Sequence, residues 1–89
     1  MNKEQFIIFM EIVRQSLIRN KSWRFGQAIW NEGSTLYPEL FEPYRGTECD
    51  PFYSNERINS LFEKILDEET LEAWYSSNLY LKTIYNHDR

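Results

Sequence analysis

Residues 58–66 read Ile58-Asn59-Ser60-Leu61-Phe62-Glu63-Lys64-Ile65-Leu66, and this run decides the fold class. Its apolar side chains recur at the three- and four-residue steps of a single helical face, with polar residues between them. Ser54 or Asn55 stands where an N-cap belongs, which predicts a helix over 55–66. Asp67 caps a following helix over 68–85, with Glu68 and Glu69 in the first turn, where the helix dipole favours negative charge. Leu71, Trp74, Asn78, Leu81 and Tyr85 form the stripe of that helix, Tyr75 and Leu79 widen it, and residues 86–89 are expected to fray.

Toward the N-terminus the helical pattern stops between Tyr37 and Tyr53. Pro38, Pro43 and Pro51 remove backbone donors, and Gly46 permits a positive φ. A short helical turn fits Pro38 to Phe41, with proline at its favoured first position. The remainder, Glu42 to Tyr53, is expected to be an ordered loop, because Phe41, Tyr44, Phe52 and Tyr53 are poor companions for water.

Before this loop a helix is predicted over 23–36, capped by Ser22. Phe25, Ile29 and Leu36 lie along one side of it, Trp30 and Tyr37 on an adjacent stripe. Gly26 and Gly33 each disfavour a helix by about 1 kcal/mol relative to alanine. Gly26 is therefore expected where another segment crosses, while Gly33 either fills an apolar position or ends the helix early. The first helix is predicted over 3–19, with Phe6, Phe9, Met10, Val13 and Leu17 on one face. Ile7, Ile8 and Ile12 widen that stripe, as burial on two sides or a partner surface would require. The whole is all-α: one domain over 1–89, a small bundle of about four helices with a long ordered loop between the second and third.

With 89 residues the chain has room for one core. Three Trp, six Tyr and six Phe supply ample area for it. The lone Cys49 leaves no internal disulfide and fits a reducing compartment. The apolar run from Phe6 to Met10 is too short for a secretory signal, and no stretch approaches the roughly 20 apolar residues of a membrane span. A bacterial cytoplasm, with no membrane contact, is the expected setting.

The net charge of −4 conceals an asymmetry. Residues 1–30 hold five basic and two acidic side chains, a balance of +3; residues 31–89 hold five and twelve, a balance of −7. Two halves that attract each other across the fold account for this, and so does an acidic face that meets a protein partner. Nucleic acid as the main ligand is disfavoured, since phosphate binding needs a clustered basic surface.

Two patches carry the chemistry: Arg24-Phe25-Gly26-Gln27 with Asn31, and Arg45-Gly46-Thr47-Glu48-Cys49-Asp50-Pro51-Phe52-Tyr53. Asp50 before Pro51 is biased toward extended backbone, so its carboxylate can accept from the amide of Phe52 or Tyr53 in an Asx-turn. Arg24 and Gln27 lie one turn apart, and the Arg24 guanidinium can hold Asp50 or Glu48 bidentately. Such a clasp, with Phe52 and Tyr53 inserted beneath, would latch the loop to the second helix. Alternatively Arg24, Gln27, Asn31 and Arg45 line a polar pocket walled by Phe52 and Tyr53, suited to a small anionic or nucleotide-like ligand. A third reading gives the loop's exposed edge to a protein.

The pattern of Arg24-x-Gly26-Gln27, then Asn31, Pro38 and Arg45-Gly46-Thr47-x-x-Asp50-Pro51-Phe52-Tyr53 resembles a group of short uncharacterised proteins of phages and bacteria. The resemblance spans about Phe6 to Ile65, and the segment after Asp67 looks like an extension on that shared core. It implies a small helical protein that interferes with, or regulates, a host protein.

Catalysis finds few candidates. The single histidine, His87, falls in the expected tail, and Cys49 has no histidine near it in sequence. One cysteine and one histidine cannot build a Cys/His metal site, and Glu48 with Asp50 make a weak hard-cation pair. Glycine-rich phosphate loops, nucleophile elbows and dinucleotide fingerprints are missing. The residues thus predict no enzyme, no metal and no cofactor. They predict a binding protein with a host partner, and self-association through the first helix as a structural alternative.

Overall fold

The computed structural model describes residues 1–76, and within them the chain is entirely helices and turns. Helix α1 spans Lys3–Arg19, α2 Phe25–Leu36, α3 Pro38–Phe41, α4 Ile58–Ile65 and α5 Glu68–Ser76. Short 3-10 turns at Glu42–Tyr44 and Asn55–Arg57 bracket the loop. The predicted stripe residues Asn78, Leu79, Leu81 and Tyr85, the fraying tail and His87 lie outside the described residues.

Helix α1 starts in a reciprocal cap. The Gln5 amide donates to Asn2 Oδ1 and the Asn2 amide to Gln5 Oε1, both at 2.9 Å, so two otherwise orphaned donors are satisfied. Its inner face buries Phe6, Phe9, Met10, Val13, Ser16 and Leu17. The widened stripe does not go inward with them: Ile7 and Ile8 are 61% and 57% exposed, and Ile12 is half-buried.

Helix α2 begins at Phe25, two residues later than its sequence predicts. Ser22 is not its cap: the chain turns on a hydrogen bond that the Trp23 amide donates to the Asn20 carbonyl at 2.9 Å, and Arg24 stays extended at the N-cap. Gly33 does not end the helix, which runs on to Leu36, but Leu36 itself points outward at 45% exposure. Gly33 serves a neighbour instead. A Cβ there would lie 2.1 Å from the Phe41 ring, which α3 drives against α2. That ring is fully buried, edge-on to Trp30 with centroids 5.6 Å apart and tilted against Phe9 at 5.8 Å. Helix α3 occupies the predicted Pro38–Phe41 turn with proline at its start.

The opposite side of the core is aromatic too. Trp74 of α5 sits edge-on to Phe62 of α4 at 4.8 Å and to Phe6 of α1 at 5.9 Å, preferred geometries for ring quadrupoles. Its indole N–H donates to Asn59 Oδ1 at 2.8 Å, so burial leaves no donor unmet. Asp67 caps α5 as its position predicts, accepting from the Thr70 amide at 2.9 Å. The Met1 ammonium donates to the Ile65 carbonyl at 2.5 Å, placing positive charge at the C-terminal end of α4 where the dipole favours it.

Candidate functional site: a cleft between helix 2 and the loop

The loop is built from its buried acid outward. Asp50 is 1% exposed, and a carboxylate so placed must be hydrogen-bonded. Its Oδ2 accepts from the Gly46 amide at 2.6 Å and its Oδ1 from the Phe52 amide at 3.0 Å. The second bond is the Asx-turn the Asp-Pro pair implies. Around it the Thr47 hydroxyl donates to the Tyr44 carbonyl at 2.7 Å and accepts from the Cys49 amide at 3.1 Å. Arg57 closes the far side by donating to the Thr47 carbonyl at 3.3 Å.

This loop is fastened to α2 through backbone groups. Arg24 donates through Nη2 to the Phe52 carbonyl, so the expected ion pair with Asp50 or Glu48 does not form. The reason is position: Asp50 is 1% exposed and turned onto the Gly46 and Phe52 amides within its own loop, and Glu48 lies on the exposed outer edge. The Gly26 amide donates to Asn55 Oδ1 at 2.7 Å, so a residue 29 positions away satisfies an amide of the first turn of α2. Asn55 thereby caps α2, and Ser54 alone caps its own turn, accepting from the Glu56 amide at 3.3 Å. A Cβ on Gly26 would meet the Pro51 carbonyl oxygen at 2.3 Å, which confirms that another segment crosses at this glycine.

Between the fastened loop and the outer side of α2 lies a cleft of about 420 Å³. Asn31, Ser34 and Thr35 form one wall, Arg45, Phe52 and Tyr53 the other, with Trp30 and Asp50 also on its lining. Of the residues singled out in the sequence, Asn31, Arg45, Asp50, Phe52 and Tyr53 converge here. Arg24, Gln27 and Glu48 do not line it: Arg24 is committed to Phe52, and the Gln27 amide oxygen accepts from the Arg24 N–H at 3.4 Å. Trp30, Ser34 and Thr35 were missed, although Ser34 and Thr35 stand one helical turn beyond Asn31 and so share its side.

Tyr53 is not tucked beneath the loop. It is 65% exposed, with its ring edge-on to the half-buried Phe52 at 5.3 Å. Arg45 donates to both carboxylate oxygens of Glu42, at 2.7 and 2.5 Å, and its guanidinium stands 5.4 Å from the Trp30 ring centroid. The hydrogen bond from Arg45 holds the Glu42 carboxyl below its ordinary range, and the Glu42 contact raises Arg45. The hydroxyls of Ser34 and Thr35 donate to the Trp30 and Asn31 carbonyls at 2.7 and 2.9 Å, leaving lone pairs toward the cleft. The remaining N–H groups of Arg45, the Asn31 amide and the Tyr53 hydroxyl are the groups available to a ligand.

Among the described residues no group of three or more His, Cys, Asp or Glu is placed to hold a metal ion, and no helix is long and apolar enough to cross a membrane. No protein-family model matches the chain, and no curated protein or solved structure matches it either.

Proposed function

We propose that this protein acts by binding a protein partner, without catalysis, through the rim of the cleft between α2 and the loop. One observation carries the reading: a loop held from within by Asp50 and from α2 by Arg24 and Asn55 presents Tyr53 and Arg45 outward beside Trp30 and Phe52. Tyrosine and arginine are enriched among the hot spots of protein interfaces, and a loop already ordered loses less entropy on binding. The resemblance to short phage and bacterial proteins supplies the kind of partner, a host protein that the chain modulates or inhibits.

The test is capture of a stoichiometric partner from bacterial lysate by the wild-type chain and by Tyr53→Ala. The exposed ring contributes little to folding, so the variant should melt with the wild type yet bind its partner at least tenfold more weakly. Equal binding by the two chains would remove the rim from the interface. A second reading, a small anionic ligand, draws support from the unspent donors of Asn31 and Arg45 within the cleft. It predicts a thermal shift with nucleotides or inorganic anions that disappears in Arg45→Ala. Arg24, which the sequence nominates for that test, is spent on the Phe52 carbonyl.

A further inference from the structure

Half of the large hydrophobic side chains left exposed among the described residues belong to one helix: Ile7, Ile8 and Ile18 of α1, against Leu36, Tyr53 and Tyr75 elsewhere. Ile7, Ile8, Glu11, Arg14, Gln15 and Ile18 fall within about 120° of the helix circumference, opposite the buried arc from Ser16 to Met10. Charge along this outer arc is polarised. The first half carries exposed Glu4 and Glu11, and the second carries exposed Arg14, continuing to Lys21 in the following turn. Exposed Lys3 and Arg19 lie just beyond the two edges of the arc, Lys3 offsetting one acidic charge at the first end and Arg19 adding a basic one at the second. Lys3 also borders an apolar groove of about 370 Å³ that Phe6, Ile7, Met10 and Trp74 help to line.

We propose that this face is a self-association surface, on which α1 of a second copy packs antiparallel about a two-fold axis. A face that is acidic at one end and basic at the other is complementary to itself only in that orientation, the condition for an isologous contact. The register that sets Ile8 opposite Ile18 of the second copy brings Glu11 within one residue of the facing Arg14, and Glu4 within one of the facing Lys21. It also carries Ile18 of the second copy to the mouth of the groove beside Ile7. Glu11 and Arg14 pair within the chain at 2.8 Å, but their side chains remain 55% and 47% exposed, so both can also face charge across the axis. A parallel arrangement would stack like charges along the contact. The surface lies on α1 and leaves the cleft of α2 and the loop to its own partner.

Light scattering on the full chain from about 10 µM to about 1 mM tests this directly. The mass should rise from 10.9 kDa toward twice that value with concentration. Two doubly substituted chains, Glu4→Lys with Glu11→Lys and Arg14→Glu with Lys21→Glu, should each stay monomeric with unchanged helical circular dichroism. Mixed in equal amounts, they should recover the doubled mass, because each supplies the charges the other now lacks. A wild-type monomer at every concentration overturns the proposal, whether another protein or another part of the chain covers α1. So does a dimer indifferent to the substitutions, or a mixture that remains monomeric. Ile8→Asp provides a separate check: it should abolish the dimer without lowering the melting temperature measured at about 10 µM, where the wild type is monomeric.

Discussion

Trp74 and Asp50 are both almost fully buried, 2% and 1% exposed, and nothing else about their surroundings is alike. Trp74 is surrounded by the rings of Phe6, Phe25 and Phe62 and makes one hydrogen bond, to Asn59. Asp50 is held by backbone, each of its oxygens accepting from an amide. Cohesion at the first site comes from volume and contact area, which several shapes can supply. Cohesion at the second comes from named donors and acceptors, each of which has one partner. The core under α5 should therefore respond to how much is removed, and the loop to which atom is removed.

The largest effect is expected from Trp74→Ala, which empties the centre of the ring cluster and should destabilise by about 3–5 kcal/mol in denaturant unfolding. Trp74→Phe refills much of that volume and should recover most of the loss, which would confirm that area governs this region. Asp50→Ala strands the Gly46 and Phe52 amides; Gly46 is exposed, so water can reach its N–H, and a loss of about 1–3 kcal/mol in all is expected. Asp50→Asn keeps the size yet offers one acceptor oxygen in place of two, so it should recover only part. Were Asp50→Asn as stable as the wild type, the contrast between the two regions would fail.

Gly26→Ala comes next. The methyl would gain about 1 kcal/mol of helix propensity but must displace the Pro51 carbonyl, 2.3 Å from the new Cβ. A net loss of about 1–2 kcal/mol is expected, with the cleft perturbed and the Trp74 cluster intact by near-ultraviolet dichroism.

The smallest effect belongs to the exposed face of α1. The side-chain hydrogen bond from Arg14, with help from Gln15, lowers the Glu11 carboxyl from 4.5 to about 2. Because the folded value lies below the unfolded one, this contribution is complete above about pH 4.5 and is lost as pH falls toward 2. Both groups are exposed, so the stability change should be slight. Carboxyl NMR titration should find the low midpoint, and Arg14→Ala should move it back toward the ordinary range.

Local pattern made the helical stripes, the Pro38 turn, the Asx-turn at Asp50 and the crossing at Gly26 legible in the sequence. Each depends on neighbours a few residues away, where periodicity and backbone preference speak directly. What escaped depended on pairing across distance. Asn55 is an ordinary N-cap candidate for the helix that follows it, and nothing local reveals that its oxygen serves Gly26 instead. Arg24 stands at the junction its sequence position implies but with another partner, because charge attraction favours a carboxylate while the folded loop offers it the Phe52 carbonyl. Five of the eight candidate residues meet at the cleft, because Asn31 faces the loop that carries the other four. Exposure was the least legible: Tyr53, Leu36, Ile7 and Ile8 are apolar enough to be expected inside, and only the packed neighbours decide that they are not.

The two glycines of α2 stand seven residues apart, about 10 Å along the axis. Phe41 is seated at one and the Pro51 carbonyl crosses at the other, so the chain leaves the helix and returns to it at two fixed stations. The span between them is thereby gauged. The exposed Glu48 side chain, on the outer edge of the loop, takes no part in fixing it. A residue gained or lost between Phe41 and Pro51 would have to be taken up within the hydrogen-bonded turns around Asp50. The helix is the ruler against which the length of the loop is inherited, and its two graduations are side chains it does not have.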